Sequence, residues 1–194
     1  MNSIAPLAAR LRALPPSCGP VRLVAVDGHA GSGKSTFAAR LSEALGAAPV
    51  VHLDDLASHE ELFAWTERLR TGVTEPLSRG ESARFAPYDW TARRFGPGTY
   101  VVPAAPVVLV EGVGAGRRAL RPLLAHLLWM DLDAEHSWRR GRERDGTGQS
   151  AFWDGWTRAE TRHFSADPSR PFADTLVRQL PEGYEWRERT SATA

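Results

Sequence analysis

Hydrophobic residues along the chain fall into five short runs that are separated by longer mixed segments. The runs span residues 21–27, 49–53, 107–110, 127–132 and 173–177. Each run is apolar at consecutive positions rather than at alternate ones, which is typical of strands in a parallel sheet with both faces buried. The pattern therefore predicts five parallel strands.

Segments with helical spacing lie between these runs. Residues 36–45 place Phe37, Leu41 and Leu45 on one face, and Gly46 follows where a helix would end. Further helices are predicted at residues 60–70, 117–124, 134–144 and 151–164. Strands that alternate with helices predict a doubly wound α/β fold, a parallel sheet flanked by helices. Polar groups at the carboxyl ends of its strands are expected to meet at a ligand crevice.

Length and composition are those of an ordinary globular protein, with 194 residues, 42% hydrophobic and 24% charged. We expect a single domain over residues 1–194, with residues 1–20 as a lead-in segment. The apolar stretches at 101–110 and 123–130 are shorter than the ~20 residues of a membrane span, and residues 1–20 lack the pattern of a secretory signal. These features, with one cysteine, predict a cytoplasmic protein without a membrane partner, and they leave a homo-oligomer open.

Charge is nearly balanced, with 24 basic and 23 acidic residues and a formal net charge of +1. No strong electrostatic field would attract nucleic acid, so we expect no nucleic-acid partner.

Every basic residue but one is arginine, and the exception is Lys34. A single lysine in an arginine-rich chain indicates a site that needs a flexible point charge rather than a planar guanidinium.

That lysine lies in a glycine-rich motif between the first predicted strand and the first predicted helix. The pattern G-x-x-x-x-G-K-[ST] is matched by Gly28, His29, Ala30, Gly31, Ser32, Gly33, Lys34 and Ser35. Glycines let backbone N–H groups turn toward phosphate oxygens at the positive end of a helix. We predict that residues 28–36, which end at Thr36, bind phosphates, with Lys34 on the β- and γ-phosphates and Ser35 on Mg²⁺. A glycine-rich turn that binds nothing is the alternative.

Acidic side chains follow two of the predicted strands. Asp54 and Asp55 follow the second strand, and Glu111 follows the strand at 107–110. Asp54 is the predicted group that orients an acceptor hydroxyl and accepts its proton. Glu111 occupies the position of a Walker-B acid, which would hold Mg²⁺-bound water or the attacking group. The alternatives are a helix N-cap for Asp54 or Asp55 and a structural ion pair for Glu111.

Basic side chains cluster in the predicted helix at 134–144. Arg140 and Arg144 are four residues apart and share a helix face, so both could approach one anion. On a lid spanning about residues 134–150, they would neutralise a transferring phosphoryl group while closure excludes water. A solvated helix face is the alternative interpretation.

In their order along the chain, these motifs resemble the uridine kinase group of P-loop nucleoside and small-molecule kinases. The matching segments are GHAGSGKST, HLDDL, VLVEGVGAG and MDLDAEHSWRRGRERDG, and the resemblance spans residues 21–177. It implies a P-loop NTPase fold with an arginine-rich lid helix, and ATP as the phosphate donor. It also implies that Asp54 activates the acceptor, and that Arg140, Arg144 and Asp145 form the R-x-x-x-R-D lid pattern.

Two further segments carry weaker signals. Trp153, Trp156 and Glu160 resemble the W-x-x-W-x-x-x-E helix of compact members of this group, and they share one face with His163. A core-packing stripe is the alternative.

Residues 183–186, after the last predicted strand, are predicted to cap the nucleotide base.

The acceptor region departs from the family pattern. Uridine kinases carry His-Pro and Phe-Asp segments, whereas residues 85–90 here read FAPYDW. Tyr88, Asp89 and Trp90 offer an aromatic wall and a hydroxyl-binding carboxylate, which suit a sugar or a nucleoside, although a surface loop is the alternative. With Asp54 and Glu111 they form the predicted substrate-binding set.

Together, these features predict an ATP-dependent kinase of a small hydroxyl compound, first of all a pyrimidine nucleoside such as uridine or cytidine. Pantothenate or a sugar alcohol is the alternative acceptor. A nucleotide-dependent regulatory protein that transfers no phosphate is the alternative function. The two functions differ at Asp54, since a regulatory protein needs the phosphate loop but no acceptor-facing acid.

Overall fold

The computed structural model describes residues 4–189. The helices are α1 (Ile4–Ala13), α2 (Lys34–Ala44), α3 (Thr66–Leu69), α4 (Glu75–Ser78), α5 (Ala134–Asp145) and α6 (Ser150–Ala166). The strands are β1 (Arg22–Asp27), β2 (Val50–His52), β3 (Ala83–Phe85), β4 (Tyr88–Asp89), β5 (Arg94–Phe95), β6 (Tyr100–Val102), β7 (Val107–Glu111), β8 (Leu124–Met130), β9 (Thr175–Leu180) and β10 (Gly183–Glu188).

Six strands form the central sheet in the order β10-β9-β8-β1-β7-β2. The five predicted strands are confirmed, and their neighbours pair in parallel. The sixth strand, β10, was not predicted and pairs antiparallel with β9. Residues 183–186 lie in β10, and Tyr184 is buried edge-on against Phe37. Tyr184 therefore belongs to the core and does not cap a nucleotide base, whereas Trp186 is only partly buried and its part in capping stays a prediction.

Alternate side chains of β1 belong to two hydrophobic clusters, which lie on opposite faces of the sheet. Val24 and Val26 pack with residues of α1 and α2, whereas Leu23 and Ala25 pack with the segment around α3 and α4. Side chains of a strand point alternately to its two faces, so a sheet covered on both sides needs apolar residues at every position. This burial explains the continuous apolar runs of the sequence.

Helix α1 lies within the segment that we interpreted only as a lead-in. Leu7, Ala8 and Leu11 are buried in the cluster that also contains Phe37 and Leu41 of α2. Their spacing of one, three and four residues is that of a helix with one apolar face. The signal was present, but the flanking prolines and arginines obscured it.

Three of the predicted helices are confirmed as α2, α5 and α6, and two predictions were wrong in extent. Residues 117–124 form turns and a short 3-10 helix, Arg121–Leu123, because Pro122 cannot donate a backbone hydrogen bond and the chain enters β8 at Leu124. The helix predicted at 60–70 begins only at Thr66 and continues through a π-helical turn, Arg70–Thr74, into α4.

Residues 83–102 leave the sheet and form two short hairpins. Strand β3 pairs with β6, and β4 pairs with β5 between them. Within residues 4–189, no helix combines the length and the apolar character needed to cross a bilayer.

Candidate functional site

The loop between β1 and α2 is shaped by three glycines. Gly28, Gly31 and Gly33 have φ angles of 147°, 85° and 96°, which L side chains rarely adopt. A Cβ on Gly31 would lie 2.0 Å from the carbonyl oxygen of Ser137, because α5 packs directly on the loop. Gly33 precedes α2, and no side chain of the described residues caps that helix, so its first N–H groups remain free for an anion.

Lys34 lies in a cavity of about 330 Å³ between this loop and α5. Its side chain is almost fully buried, and Nζ donates a hydrogen bond of 2.9 Å to the carbonyl oxygen of His29. The cavity is lined by Gly31, Gly33, Lys34, Ser35, Thr36, Arg140, Gly141 and Arg144. Three cationic side chains thus converge at the N-terminus of α2, where a polyphosphate would be stabilised.

Glu111, at the end of β7, is the acid beside Ser35. Ser35 Oγ donates to Glu111 Oε1 at 3.0 Å, and His52 Nδ1 lies 2.9 Å from the same oxygen. Burial alone would raise the pKa of Glu111, but His52, Lys34 and Ser35 lower it overall. The hydrogen bond to Glu111 is the main cause that raises the pKa of His52.

This pair of residues fits a divalent cation. Glu111 Oε2 is buried and has no hydrogen-bond partner among the described residues, and a hydroxyl oxygen, Ser35 Oγ, lies beside the same carboxylate. Carboxylate and hydroxyl oxygens are the ligands that Mg²⁺ prefers. Across residues 4–189, no group of three or more His, Cys, Asp or Glu side chains could hold a metal ion by itself. A cation here would therefore also need oxygens from a bound phosphate.

Asp54 follows β2 in a 3-10 turn, Leu53–Asp55, that directs it into the cleft. Its side chain is open to water in the cleft, although many protein atoms lie around the carboxyl group. Burial in the cleft, followed by the negative charge of Glu111, raises the pKa of Asp54, although Lys34 opposes this effect. A carboxylate with a raised pKa is a stronger base, which suits a group that accepts a proton.

Asp54 lies at the wall of a second cavity of about 600 Å³. The cavity is lined by Ala30, Asp54, His59, Trp90, Thr91, Arg144, Asp145, Gln149, Phe152, Trp153 and Trp156. Four of these eleven residues are Trp or Phe and six others are polar or charged, so the cavity offers both ring surfaces and hydrogen-bonding groups to a small molecule. Arg144 lines this cavity and also the cavity of about 330 Å³ that contains Lys34, so the two cavities adjoin at its side chain.

Of the predicted trio at 88–90, only Trp90 reaches this cavity. Its Nε1 donates to the backbone oxygen of Asp54 at 3.1 Å. Tyr88 is buried behind it, with its hydroxyl 3.0 Å from His59 Nδ1. Asp89 Oδ1 accepts hydrogen bonds of 2.9 and 2.8 Å from the N–H groups of the next turn, at Thr91 and Ala92. The carboxylate of Asp89 thus closes a turn and does not line the cavity.

His59 and Phe152 line the cavity and were missed by the sequence interpretation. Phe152 lies beside Trp153 in a predicted helix, so the aromatic pair was the available signal. His59 lies in a loop, and nothing in its neighbourhood distinguished it. Its ring lies 4.9 Å from the Trp90 ring, a contact that only the tertiary structure makes.

Helix α5 carries the two arginines on the face predicted for them. Arg140 Nη2 donates to Gln179 Oε1 at 3.1 Å, and Arg144 pairs with Asp145 at 2.7 Å. Trp153 Nε1 also donates to Asp145, at 3.1 Å. Asp145 therefore joins Arg144 to α6.

Asp27, the last residue of β1, is a further structural residue that we did not predict. It is fully buried and accepts hydrogen bonds from the N–H groups of Gly28, Gly114 and Gly116, at 2.7 to 2.8 Å. Burial raises the pKa of Asp27 despite these contacts. The residue joins the start of the phosphate-binding loop to the loop that follows β7.

No protein-family model and no curated protein sequence matches this chain. Solved structures do match, among them a possible uridine kinase from Bacillus stearothermophilus, with 18% identity, a TM-score of 0.64 and 89% of this chain and 96% of that chain covered. A candidate fructose transport system kinase from Silicibacter sp. TM1040 has 20% identity and a TM-score of 0.57, with the same coverage of 89% and 96%. D-glycerate 3-kinase from Cryptococcus neoformans has 14% identity, a TM-score of 0.51 and coverage of 95% and 96%. At these identities the likeness concerns the fold, and it confirms the predicted α/β fold, a mostly parallel sheet flanked by helices.

Proposed function

We propose that this protein is an ATP-dependent kinase that transfers the γ-phosphoryl group of MgATP to a hydroxyl group of a small molecule. The observation that carries the proposal is the contact between the two cavities. Arg144 lines the one that contains Lys34 and the one that contains Asp54. A transferred phosphoryl group has to pass between donor and acceptor sites, and a cation at their junction stabilises its charge. Three of the matching structures are described as kinases, one of them as a possible uridine kinase, and they support the same reaction class.

On the donor side, the loop at residues 28–36 binds the phosphates of ATP through backbone N–H groups at the start of α2. Lys34 neutralises charge on the β- and γ-phosphates, and Arg140 and Arg144 cover them from α5. Ser35 and Glu111 are the residues that would hold Mg²⁺, which when bound supplies further positive charge to the phosphate oxygens.

On the acceptor side, Asp54 orients the hydroxyl group and accepts its proton. The hydroxyl oxygen forms a bond to the γ-phosphorus while the bond from that phosphorus to the ADP oxygen breaks. The proton moves to a carboxylate oxygen of Asp54, and ADP leaves with the bonding electron pair. Arg144 stabilises the negative charge that spreads over the phosphoryl oxygens during transfer.

A pyrimidine nucleoside is the acceptor that the cavity suits best. Trp90 and Phe152 offer ring faces and edges to a planar base, with ring centroids 5.9 Å apart. Asp54, Arg144 and Gln149 offer polar groups for the sugar hydroxyls. Pantothenate or a sugar alcohol would use the same Asp54, but it would leave the aromatic wall without a planar partner.

A regulatory nucleotide-binding protein is the second candidate function. It would use the same phosphate-binding loop and the same cationic side chains of α5. An acid with a raised pKa at the wall of an aromatic cavity has no role in such a protein, whereas a kinase requires one. The position of Asp54 therefore favours transfer over regulation.

The test is release of ADP from MgATP by the purified protein, measured across nucleosides, pantothenate and sugar alcohols, with a control without acceptor. We expect ADP release that depends on a pyrimidine nucleoside, and a product whose mass is that of the nucleoside monophosphate. Turnover with pantothenate or a sugar alcohol only would keep the kinase and replace the acceptor. Tight ATP binding without acceptor-dependent turnover anywhere on the panel would favour the regulatory protein.

The activity is expected to fall in acid with an apparent pKa above that of an ordinary aspartate. Only the ionised Asp54 accepts a proton, and its pKa is raised above the usual value of 3.8, so kcat/KM decreases as the pH falls through the raised value. The measurement is kcat/KM against pH, with circular dichroism at each pH to separate acid unfolding. An acid limb at or below pH 3.8 in the folded protein would contradict the assigned base.

A further inference from the structure

Glu160 is a fully buried carboxylate in helix α6, and it contacts two other elements as well as its own helix. Its Oε1 lies 2.7 Å from His29 Nδ1 and accepts a hydrogen bond of 3.0 Å from Trp138 Nε1. Its Oε2 accepts hydrogen bonds of 3.2 Å from the backbone N–H of Ala30 and 2.8 Å from Trp156 Nε1. His29 and Ala30 belong to the phosphate-binding loop, and Trp138 belongs to α5.

The chemistry of this contact requires a carboxylate. The N–H groups of Ala30, Trp138 and Trp156 can only donate, so both carboxylate oxygens act as acceptors. Burial alone would raise the pKa of Glu160, but His29, Lys34 and Trp156 lower it overall, so the group is ionised at neutral pH. An ionised carboxylate donates nothing, and His29 therefore carries its proton on Nδ1.

The hydrogen bonds with the loop and with α5 connect Glu160 to two elements that carry cationic side chains of the cavity around Lys34. On the loop, the carbonyl oxygen of His29 accepts the hydrogen bond from Lys34 Nζ. On α5, Trp138 lies two residues before Arg140 and six before Arg144. The ring of His29 also packs edge-on against that of Trp138, with centroids 6.0 Å apart. One buried group thus joins the element that carries Lys34 to the element that carries both arginines.

We propose that Glu160 is a positioning residue that holds the phosphate-binding loop and helix α5 in one fixed relation, so that Lys34, Arg140 and Arg144 act on the same phosphoryl group. The proposal rests on the proposed kinase function for its effect on turnover. Its structural part, the joining of loop and helix, does not depend on that function. Glu160 itself touches no reacting atom.

The first test is Glu160→Gln, which keeps the shape but turns an NH₂ group toward two N–H donors. We expect kcat to fall roughly 100-fold, because a small misplacement of catalytic groups has an effect of that size. The affinity for ATP is expected to stay within a few-fold, since the backbone N–H groups of the loop supply most of the ground-state binding. The matched control is Glu135→Gln, the same change at an exposed position of α5 that makes no hydrogen bond or ion pair with any described side chain.

A second variant guards against a simple loss of folding. Trp138→Phe keeps an aromatic ring on α5 and removes the N–H that Glu160 accepts, together with part of the indole ring. We expect a lower kcat with an unchanged melting temperature, and a double variant with Glu160→Gln that is no slower than Glu160→Gln alone. Effects of the two changes that multiply, or a kcat of both single variants within threefold of Glu135→Gln, would overturn the proposal.

Amide hydrogen exchange separates this proposal from the proposed function, because it needs no turnover. In Glu160→Gln we expect faster exchange in the loop peptide that contains Ala30 and in the peptide of α5, at a temperature where the protein stays folded. Faster exchange confined to α6 would overturn the positioning role. If the wild-type protein transfers phosphate to no acceptor, the kinase proposal fails while exchange still decides the role of Glu160.

Discussion

Replacing Asp54 with asparagine is expected to lower kcat by about a thousandfold, within the range of a lost general base. The two side chains have nearly the same shape, but the amide cannot accept the proton of the acceptor hydroxyl. Asp54 lies at the wall of the acceptor cavity, so ATP affinity is expected to stay within a few-fold. The measurements are steady-state turnover with the best acceptor of the panel and calorimetric titration with ATP.

The control for this variant is Asp55→Asn. Asp55 is the adjacent carboxylate, and it does not line either cavity. We expect its turnover to remain within a few-fold of wild type. A large loss of ATP binding in Asp54→Asn, in place of a loss of turnover, would rule out Asp54 as the base and indicate a role at the phosphate site.

Replacing Lys34 with alanine is expected to weaken ATP binding and also to lower kcat, by about a hundred- to a thousandfold. The ammonium group is almost fully buried at the N-terminus of α2, where little water weakens its attraction for phosphate. It is expected to bind the β- and γ-phosphates before and during transfer, so both parameters change. Unchanged turnover would contradict the whole assignment of the phosphate-binding loop.

Two features of the chain sharpen this test. Lys34→Arg keeps the charge but changes its geometry, so a comparable loss of activity would show that a flexible point charge is required. Because Lys34 is the only lysine of the chain, an acyl phosphate derivative of ATP can modify a lysine side chain at one position only. We expect mass spectrometry to find that modification, and an excess of ATP to prevent it.

Elements that depend on neighbouring residues could be predicted from the sequence. The phosphate-binding loop is one continuous stretch between a strand and a helix, so the motif and its context lie within residues 21–45. The five parallel strands were predictable because burial on both faces favours apolar residues at consecutive positions, with polar residues mainly near the ends of the runs. The helix predicted at 117–124 was wrong for a local reason, because Pro122 interrupts the backbone hydrogen bonds of a helix. The apolar spacing of the segment indicated a helix all the same.

The walls of the acceptor cavity could not be predicted in the same way. His59 and Phe152 are separated by 93 positions along the chain, yet their rings lie 6.0 Å apart beside Trp90. Tyr88 and Asp89 have the composition of a binding site, but their polar atoms are used by His59 and by the next turn. Which polar atoms remain free for a ligand depends on partners that only the folded chain supplies.

The sequence by itself determined the phosphate-binding loop, the parallel strands and the helix face shared by Arg140 and Arg144, because each depends on contacts within one segment or on a simple pattern of burial. Only the tertiary structure decided that Arg144 lines both cavities, that Glu111 faces Ser35, and that Glu160 joins the loop to α5. The Ser35–Glu111 and Ala30–Glu160 pairs join residues 76 and 130 positions apart. Their distances follow from strand order and helix packing, to which no local pattern responds.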